Sequence, residues 1–245
     1  MLITSLDNDK VKKYIKLKEK KYRDKTGEFI VEGSHLVLEA FKHGLIRELI
    51  LEKEEVFPIG FDNIVYLPMD IINKISSVET PQTVMALCSK KEESDVLGEH
   101  ILLVDDVQDP GNLGTIIRSA VAFNIDTVVL GNNTVDLYNP KTVRSTQGMF
   151  FHINVIRRDL EDVISKLKEE AIPVYGTLVE HGDDVRELKE KDKERYALIV
   201  GNEGNGVRKE LTDMCDKNLY IKMNSDVESL NVGVAASILL YELGK

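Results

Sequence analysis

The stretch from Ile101 to Arg118, ILLVDDVQDPGNLGTIIR, constrains the fold more than any other part of the chain. Its four leading aliphatics, Ile101 to Val104, read as a buried strand. Asp105 and Asp106 end that run. Asp109-Pro110-Gly111-Asn112 is turn chemistry: proline presets φ, glycine tolerates positive φ, and Asp and Asn side chains bond back to the backbone. The spacing predicts a helix starting near Asn112, with Ile116, Ile117 and Ala120 on one face. A strand, a polar turn and a helix in that order put a few side chains at the carboxyl end of a parallel sheet, where open α/β folds bind ligands. Asn112, Gly114 and Arg118 are the groups so placed. Asn112 and Arg118 are six apart, so one belongs at the helix mouth and the other more than a turn inside.

The same alternation continues downstream. Strands are expected at Thr127–Leu130, Ile153–Ile156, Val174–Leu178, Leu198–Val200 and Leu219–Ile221. Helices are expected near Pro140–Ser145, Leu160–Glu170, Lys209–Met214 and Leu230–Leu243. That pattern implies an α/β domain with a mostly parallel sheet. Upstream, the apolar runs at 29–31, 49–51, 64–67 and 84–87 read as strands. Helices are expected from Ser34, as N-cap, to Gly44 and over Asp70–Ser76. Residues 1–90 thus form a small α/β domain, 91–99 in the charged stretch SKKEESDVLGE a linker, and 100–245 a second domain.

Composition narrows the class. Hydrophobic content of 42% with 30% charged residues fits a globular chain, and no apolar run approaches the roughly 18 residues of a membrane span. Met1 to Lys13 holds no apolar signal core, and Cys88 and Cys215 suggest neither a disulfide framework nor a zinc motif, so a reducing cytoplasm is expected. The net charge of −10 argues against indiscriminate nucleic-acid binding. Lys10 to Lys25 runs against it: that stretch is rich in Lys and Arg, with Glu19 and Asp24 its only acids. It predicts one helix with Val11, Tyr14, Ile15 and Tyr22 inward, and either a solvated basic face or a phosphate-contacting one.

Two further loops carry possible chemistry. Gly201 to Gly206, GNEGNG, follows an aliphatic strand. It has no P-loop lysine, and its glycines are not spaced as a dinucleotide fingerprint. It is either a tight turn or a place where backbone approaches a ligand closely. In the third loop, IKMNSDVESLNVGVAASILLYE, Ser229-Leu230-Asn231 opens an apolar helix. The small residues Gly233, Ala235, Ala236 and Ser237 suit a core helix or one that also forms a subunit contact. The histidines at 35, 43, 100, 152 and 181 are scattered, with no metal-ligand spacing, and no nucleophile elbow exists. A metal-free reaction of an activated substrate suits this inventory better than hydrolysis.

Together the three loops resemble the SpoU/TrmH family of RNA ribose 2′-O-methyltransferases. Asn112, Gly114 and Arg118 match its Asn-x-Gly-x-x-x-Arg motif. Gly201, Glu203 and Gly206 match Gly-x-Glu-x-x-Gly. Ile221, Met223, Ser229, Leu230, Asn231 and Val232 match the third motif. Residues 1–90, with FIVEGSHLVLEA, are similar to the family's substrate-binding domain, which is itself like a ribosomal-protein RNA-binding fold. The resemblance implies a trefoil knot in the C-terminal domain, S-adenosyl-L-methionine bound there, and a homodimer built on that domain. It implies that Thr177, Leu178, Val200, Gly201, Gly206, Ile221, Met223 and Leu230 hold the cofactor. Arg118, Asn112, Glu203, Ser229 and Asn231 would surround the reacting ribose. Lys12, Lys13, Lys16, Lys20, Arg23 and Arg144 would contact RNA, with ribosomal RNA favoured over transfer RNA. Lys222 departs from the motif, which has proline there; lysine restores an N–H and frees φ. A non-catalytic RNA-binding or ribosome-assembly protein on the same fold, and a nucleotide-binding α/β enzyme, are the rival readings.

Overall fold

The structure, a computed structural model, describes residues 1–244. In chain order its elements are α1 (Asp9–Lys16), α2 (Lys20–Thr26), β1 (Glu28–Glu32), α3 (Ser34–Lys42), β2 (Ile46–Glu52), β3 (Ile64–Leu67), α4 (Met69–Ile75) and β4 (Val84–Ser89). There follow β5 (His100–Val104), α5 (Pro110–Ala122), β6 (Thr127–Leu130), α6 (Pro140–Ser145), β7 (Asn154–Arg157), α7 (Leu160–Glu169) and β8 (Val174–Thr177). The chain ends with β9 (Asp183–Asp184), β10 (Tyr196–Val200), α8 (Lys209–Met214), β11 (Lys217–Tyr220) and α9 (Val232–Leu243). It divides into two compact units, residues 1–92 with 136–151, and residues 93–135 with the chain from 152 onward. The contiguous division expected at 91–99 therefore differs from the structure in one respect. The segment Asp136–Phe151, with α6, clusters with the first unit.

In the first unit the sheet runs β1-β4-β2-β3, antiparallel except for the β2–β3 pair. Val11, Tyr14, Ile71, Ile72 and Ile75 pack on Met85 and Leu87 of β4 and on Val65 and Leu67 of β3. Each such aliphatic is worth roughly 1.5–3 kcal/mol of burial. Phe29 packs tilted against Tyr138 and edge-on against Phe150 of the inserted segment, at 4.8 and 6.0 Å between ring centroids.

The single helix expected over Lys10–Lys25 is broken. Leu17 ends α1, and Glu19, in extended conformation, begins α2. The break turns Arg23 inward, where it is 2% exposed. Its guanidinium donates to Asp136 at 2.6 Å and to the carbonyls of Leu17 and Lys18 at 2.8 and 2.6 Å. Arg23 is therefore a structural tie, not an RNA-contacting group. Ser34 is the first residue of α3 and does not cap it; Gly33, at φ +98°, occupies the cap.

In the second unit the strand order is β7-β6-β5-β10-β8-β11-β9, and every pairing is parallel. Leu103, Val129, Ile156, Ile199 and Val174 meet Ile164 and Leu167 of α7 and Leu211 of α8 in one core. α9 packs on α5. A Cβ at Gly233 would stand 3.0 Å from the Thr115 methyl, and the Ser119 and Ser237 hydroxyls lie 2.6 Å apart. The small residues of α9 are thus used for helix–helix approach within the unit. No helix of the described residues is long and apolar enough to cross a membrane.

Candidate functional site

Parallel pairing aligns the carboxyl ends of the central strands. Val104 of β5 lies opposite Val200 of β10, and Thr177 of β8 opposite Leu219 of β11. Three loops leave this edge, and they are the three singled out in the sequence.

The first enters α5. Asp109, not Asn112, is its N-cap, accepting from the N–H groups of Gly111 and Asn112 at 2.7 and 3.0 Å, with Pro110 in the first turn. The helix begins two residues earlier than expected, because an Asp followed by Pro is a stronger start than the Asn behind it. Asn112 is left free to use its side chain elsewhere. Asp106, at φ +56°, turns the chain out of β5.

The second loop closes on itself. Asn202 and Gly206 exchange backbone hydrogen bonds at 2.9 Å in both directions. A Cβ at Gly201 would lie 2.2 Å from the carbonyl carbon of Gly206 and from the nitrogen of Val207. That glycine is required by the turn itself. Asn202, which the motifs do not mark, braces the turn: its oxygen accepts from Gly204 and Asn205 N–H, and its amide donates to the Asp106 carbonyl at 2.8 Å. Only its place beside a glycine in a turn hinted at this.

The third loop enters α9, where Asn231 is the N-cap and accepts from Gly233 and Val234 N–H at 2.9 and 3.3 Å. Its amide donates to Asn112 Oδ1 at 2.8 Å. The Asn112 amide in turn donates to Glu203 Oε1 at 3.0 Å. Glu203 also accepts from the backbone N–H groups of Asp109 (3.0 Å) and Gln108 (3.2 Å). The three motifs thus meet in one continuous chain of hydrogen bonds, Asn231 to Asn112 to Glu203. Partial burial pushes the Glu203 pKa up, but the bonds from Asn112 and from the Asp109 and Gln108 backbone outweigh it and hold the carboxyl below its ordinary value.

Arg118 is exposed and makes no hydrogen bond or ion pair to a described residue. The aspartates that might have claimed it are used elsewhere. Asp105, buried, accepts from Arg208 Nε at 2.9 Å and from its N–H at 3.0 Å. Asp106 accepts from the Gln108 amide, and Asp109 caps α5. Ser229 is exposed at the lip of the same region.

A cleft of about 290 Å³ opens between the second and third loops and the end of β8, lined by Thr177, Leu178, Gly201, Gly206, Ile221, Met223, Ser229 and Leu230; no residue of the first loop lines it. Val200 does not line it, being buried at the end of β10. Glu203 and Gly204 border it, so the turn that anchors the hydrogen-bonded chain is also a wall of the cleft. Lys222 lies between two lining residues but is itself exposed and off the cleft. Among the RNA-contact candidates, Lys12, Lys16 and Lys20 are exposed, Lys13 pairs with Glu28 at 2.7 Å, and Arg144 donates to Ser77 at 2.7 Å.

Comparison with known proteins agrees with this geometry. Residues 99–241 match the SpoU rRNA Methylase family, and residues 8–86 match an MRM3-like substrate binding domain. The chain is 45% identical, over 98% of both sequences, to the 23S rRNA (guanosine(2553)-2′-O)-methyltransferase RlmP of Bacillus subtilis. Among solved structures, a putative RNA methyltransferase of the TrmH family from Porphyromonas gingivalis superposes with a TM-score of 0.88 at 32% identity, covering 98% of each chain. An AdoMet-bound rRNA methyltransferase from Sinorhizobium meliloti gives 0.87 at 31% identity, covering 99% of this chain and 97% of that one. With three motifs joined by one chain of hydrogen bonds and family matches over both halves, the chain belongs to the SpoU rRNA methylase family.

Proposed function

We propose that this protein methylates a ribose 2′-hydroxyl of ribosomal RNA, with S-adenosylmethionine as donor. The observation that carries the reading is the shared construction of cleft and polar chain. Gly201–Val207 and Ser229–Val232 each contribute to both. The cleft suits the cofactor. Its walls mix glycine backbone and apolar side chains with the polar groups of Thr177, Asn202, Glu203 and Ser229, and Ile221, Met223 and Leu230 make no backbone hydrogen bond to a described residue, so their polar groups are satisfied by solvent or by a ligand. The sulfonium supplies an already activated methyl group, so no metal is needed.

The residues then have alignment and charge to provide. Asn112 and Asn231 fix each other and the start of both helices, which holds the ribose edge of the site rigid. Glu203 stays ionised and locks the glycine turn to the first loop. Arg118, an exposed cation, orients the 2′-hydroxyl and stabilises the oxyanion as its proton leaves. An arginine offers hydrogen-bond donors and no acceptor, so the hydroxyl proton passes to solvent. Ser229, exposed at the lip of the cleft, is assigned a hydrogen bond to the nucleotide.

The trefoil knot and a homodimer through the second unit complete the reading. Exposed Val234 and Tyr241 on α9 support the dimer, and the free thiols of Cys88 and Cys215 support a reducing cytoplasm. The full-length likeness to RlmP points to a guanosine of 23S rRNA as target. Mapping 2′-O-methylated positions in rRNA from a strain lacking the gene tests this. One guanosine of the large-subunit RNA should lose its methyl group, and wild-type protein should restore it where Arg118→Ala does not. An unchanged rRNA methylation map would refute the reading.

A further inference from the structure

The break between α1 and α2 creates a second concavity, in the first unit, that the methyl-transfer site does not use. It measures about 250 Å³ and is lined by Lys12, Lys13, Lys16, Leu17, Tyr22 and Lys25, with Asp9 its one carboxylate. Its floor is apolar: Leu17 is buried, and Tyr22 packs against the first unit's core. Its rim is cationic. Lys16 and Lys25 make no hydrogen bond or ion pair to a described residue, while Lys12 pairs only with exposed Asp7 at 3.1 Å. Lys16 and Lys21 hold their ammonium groups 5.6 and 4.9 Å from the Tyr22 ring centroid.

The geometry points to this notch as the seat of an unpaired RNA base, with the flanking phosphates on Lys12, Lys16 and Lys25. The inference rests on the reading of RNA as substrate and names the form that RNA takes. A duplex is recognised by its shape and phosphates, and a flat lysine surface would serve for that. An aromatic ring walled by lysines is what an unstacked base requires, because every base offers a π-face and a phosphate on either side. Lysine stems are flexible, so Lys16 and Lys21 leave the ring for the phosphates as the base enters. The base held here is distinct from the methylated nucleotide, which sits in the second unit. The target is therefore an RNA loop or junction with at least one exposed base besides the one modified.

The chain has no tryptophan, so full-length Tyr22→Trp carries a single reporter at the notch. Titration with single-stranded oligoadenylate should quench its emission, and a blunt duplex with the same number of phosphates should not. Tyr22→Leu should weaken oligoadenylate binding about 5- to 150-fold, the range for one stacked base, while Tyr22→Phe stays near wild type. Lys16→Gln with Lys25→Gln should lower the salt slope by about 1.4 for two single-strand phosphates. Cofactor affinity should hold in all of these variants, and the thermal midpoint in Tyr22→Phe and in the lysine variants. Emission that ignores the single strand, or responds equally to duplex or to polyglutamate, overturns the inference. Quenching by oligoadenylate in a protein that methylates no rRNA would leave the notch standing and remove the proposed function instead.

Discussion

The chain Asn231–Asn112–Glu203 has a direction, and that direction can be reversed by mutation. Asn231 does two jobs: its oxygen caps α9 and its amide donates to Asn112. Asn231→Ala loses the cap, about 1 kcal/mol, and a hydrogen bond, about 0.5–1.5 kcal/mol. At roughly 2–4 °C per kcal/mol for a chain of this size, the thermal midpoint should fall by about 3–10 °C. Asn231→Asp keeps the cap and places a carboxylate at a helix N-terminus, a favourable position. It turns the donor toward Asn112 into an acceptor, however. Asn112 cannot simply flip in response, because its oxygen would then face the Glu203 carboxylate. Asn231→Asp should therefore hold its midpoint within about 4 °C, by the same conversion, yet lose methyl transfer by 10-fold or more, about 1.4 kcal/mol of barrier. Adding Glu203→Gln supplies a donor at the far end, so the whole chain can run backwards: Gln to Asn112 to Asp. The Asp109 N–H then turns to solvent, so recovery is partial. The double mutant should be more stable than the sum of the singles by at least about 0.5 kcal/mol, above the scatter for uncoupled sites. Asn231 and Glu203 do not touch, so coupling of that size has to pass through Asn112. The assay is thermal and urea unfolding of the four proteins, with radiolabelled methyl transfer on each. Strict additivity would refute the argument.

Other outcomes follow from the same geometry. Arg118→Ala and Arg118→Lys should each lose about 100-fold or more in methyl transfer with unchanged midpoints, since the side chain is exposed and pairs with no described residue; near-full turnover of the lysine variant would refute the need for a planar guanidinium. Gly201→Val should lose cofactor affinity by calorimetry together with thermal stability, because its Cβ would overlap Gly206 backbone at 2.2 Å; a wild-type midpoint would show that the turn is not as tight as described. Glu203 titrates below its unfolded value near 4.3, so the stability it adds is complete above that pH and is lost as pH falls through the lower folded pKa. Glu203→Gln should flatten the acid limb of stability against pH in that window, and an unaltered limb would remove the carboxylate from the argument. Asp136→Ala strands the buried Arg23 guanidinium and should cost about 3–5 kcal/mol, read by urea unfolding; a loss under about 1 kcal/mol, the size of an exposed pair, would mean the ion pair is solvent-screened.

What could be read from the sequence was whatever is local. The strand Ile101–Val104, the polar turn behind it, the strand before GNEGNG and the Asn231 helix start each announce themselves within a dozen residues, by aliphatic runs and turn chemistry. The break in the basic helix did not, since no Gly or Pro marks Leu17–Glu19. Its reason lies 113 positions away, in the Asp136 carboxylate that draws Arg23 inward. The same distance hid the membership of Asp136–Phe151 in the first unit, because α6 looks like any other helix of a strand–helix alternation until Tyr138 and Phe150 are seen against Phe29.

Gly201 shows the limit most sharply. A glycine after an aliphatic strand was plain, and two causes fitted it: a ligand pressing on backbone, or backbone pressing on backbone. The distance that chooses between them is set by how Gly206, at φ +68°, brings the chain back across its own start. Spacing alone cannot encode that crossing, since a six-residue loop can also pass wide of it. The crossing also explains why the turn can serve two masters. It is closed on itself by the Asn202–Gly206 bonds. One side is then free to wall the cleft, while Glu203 reaches from the other to the start of α5. A looser turn would have to be ordered by its ligand, and the chain through Asn112 to Asn231 would form only after binding. Closure by the turn's own backbone and the bonds through Asn112 hold the three loops in one register, and alignment of that kind is what contributes to rate when a ribose hydroxyl must meet a methyl donor.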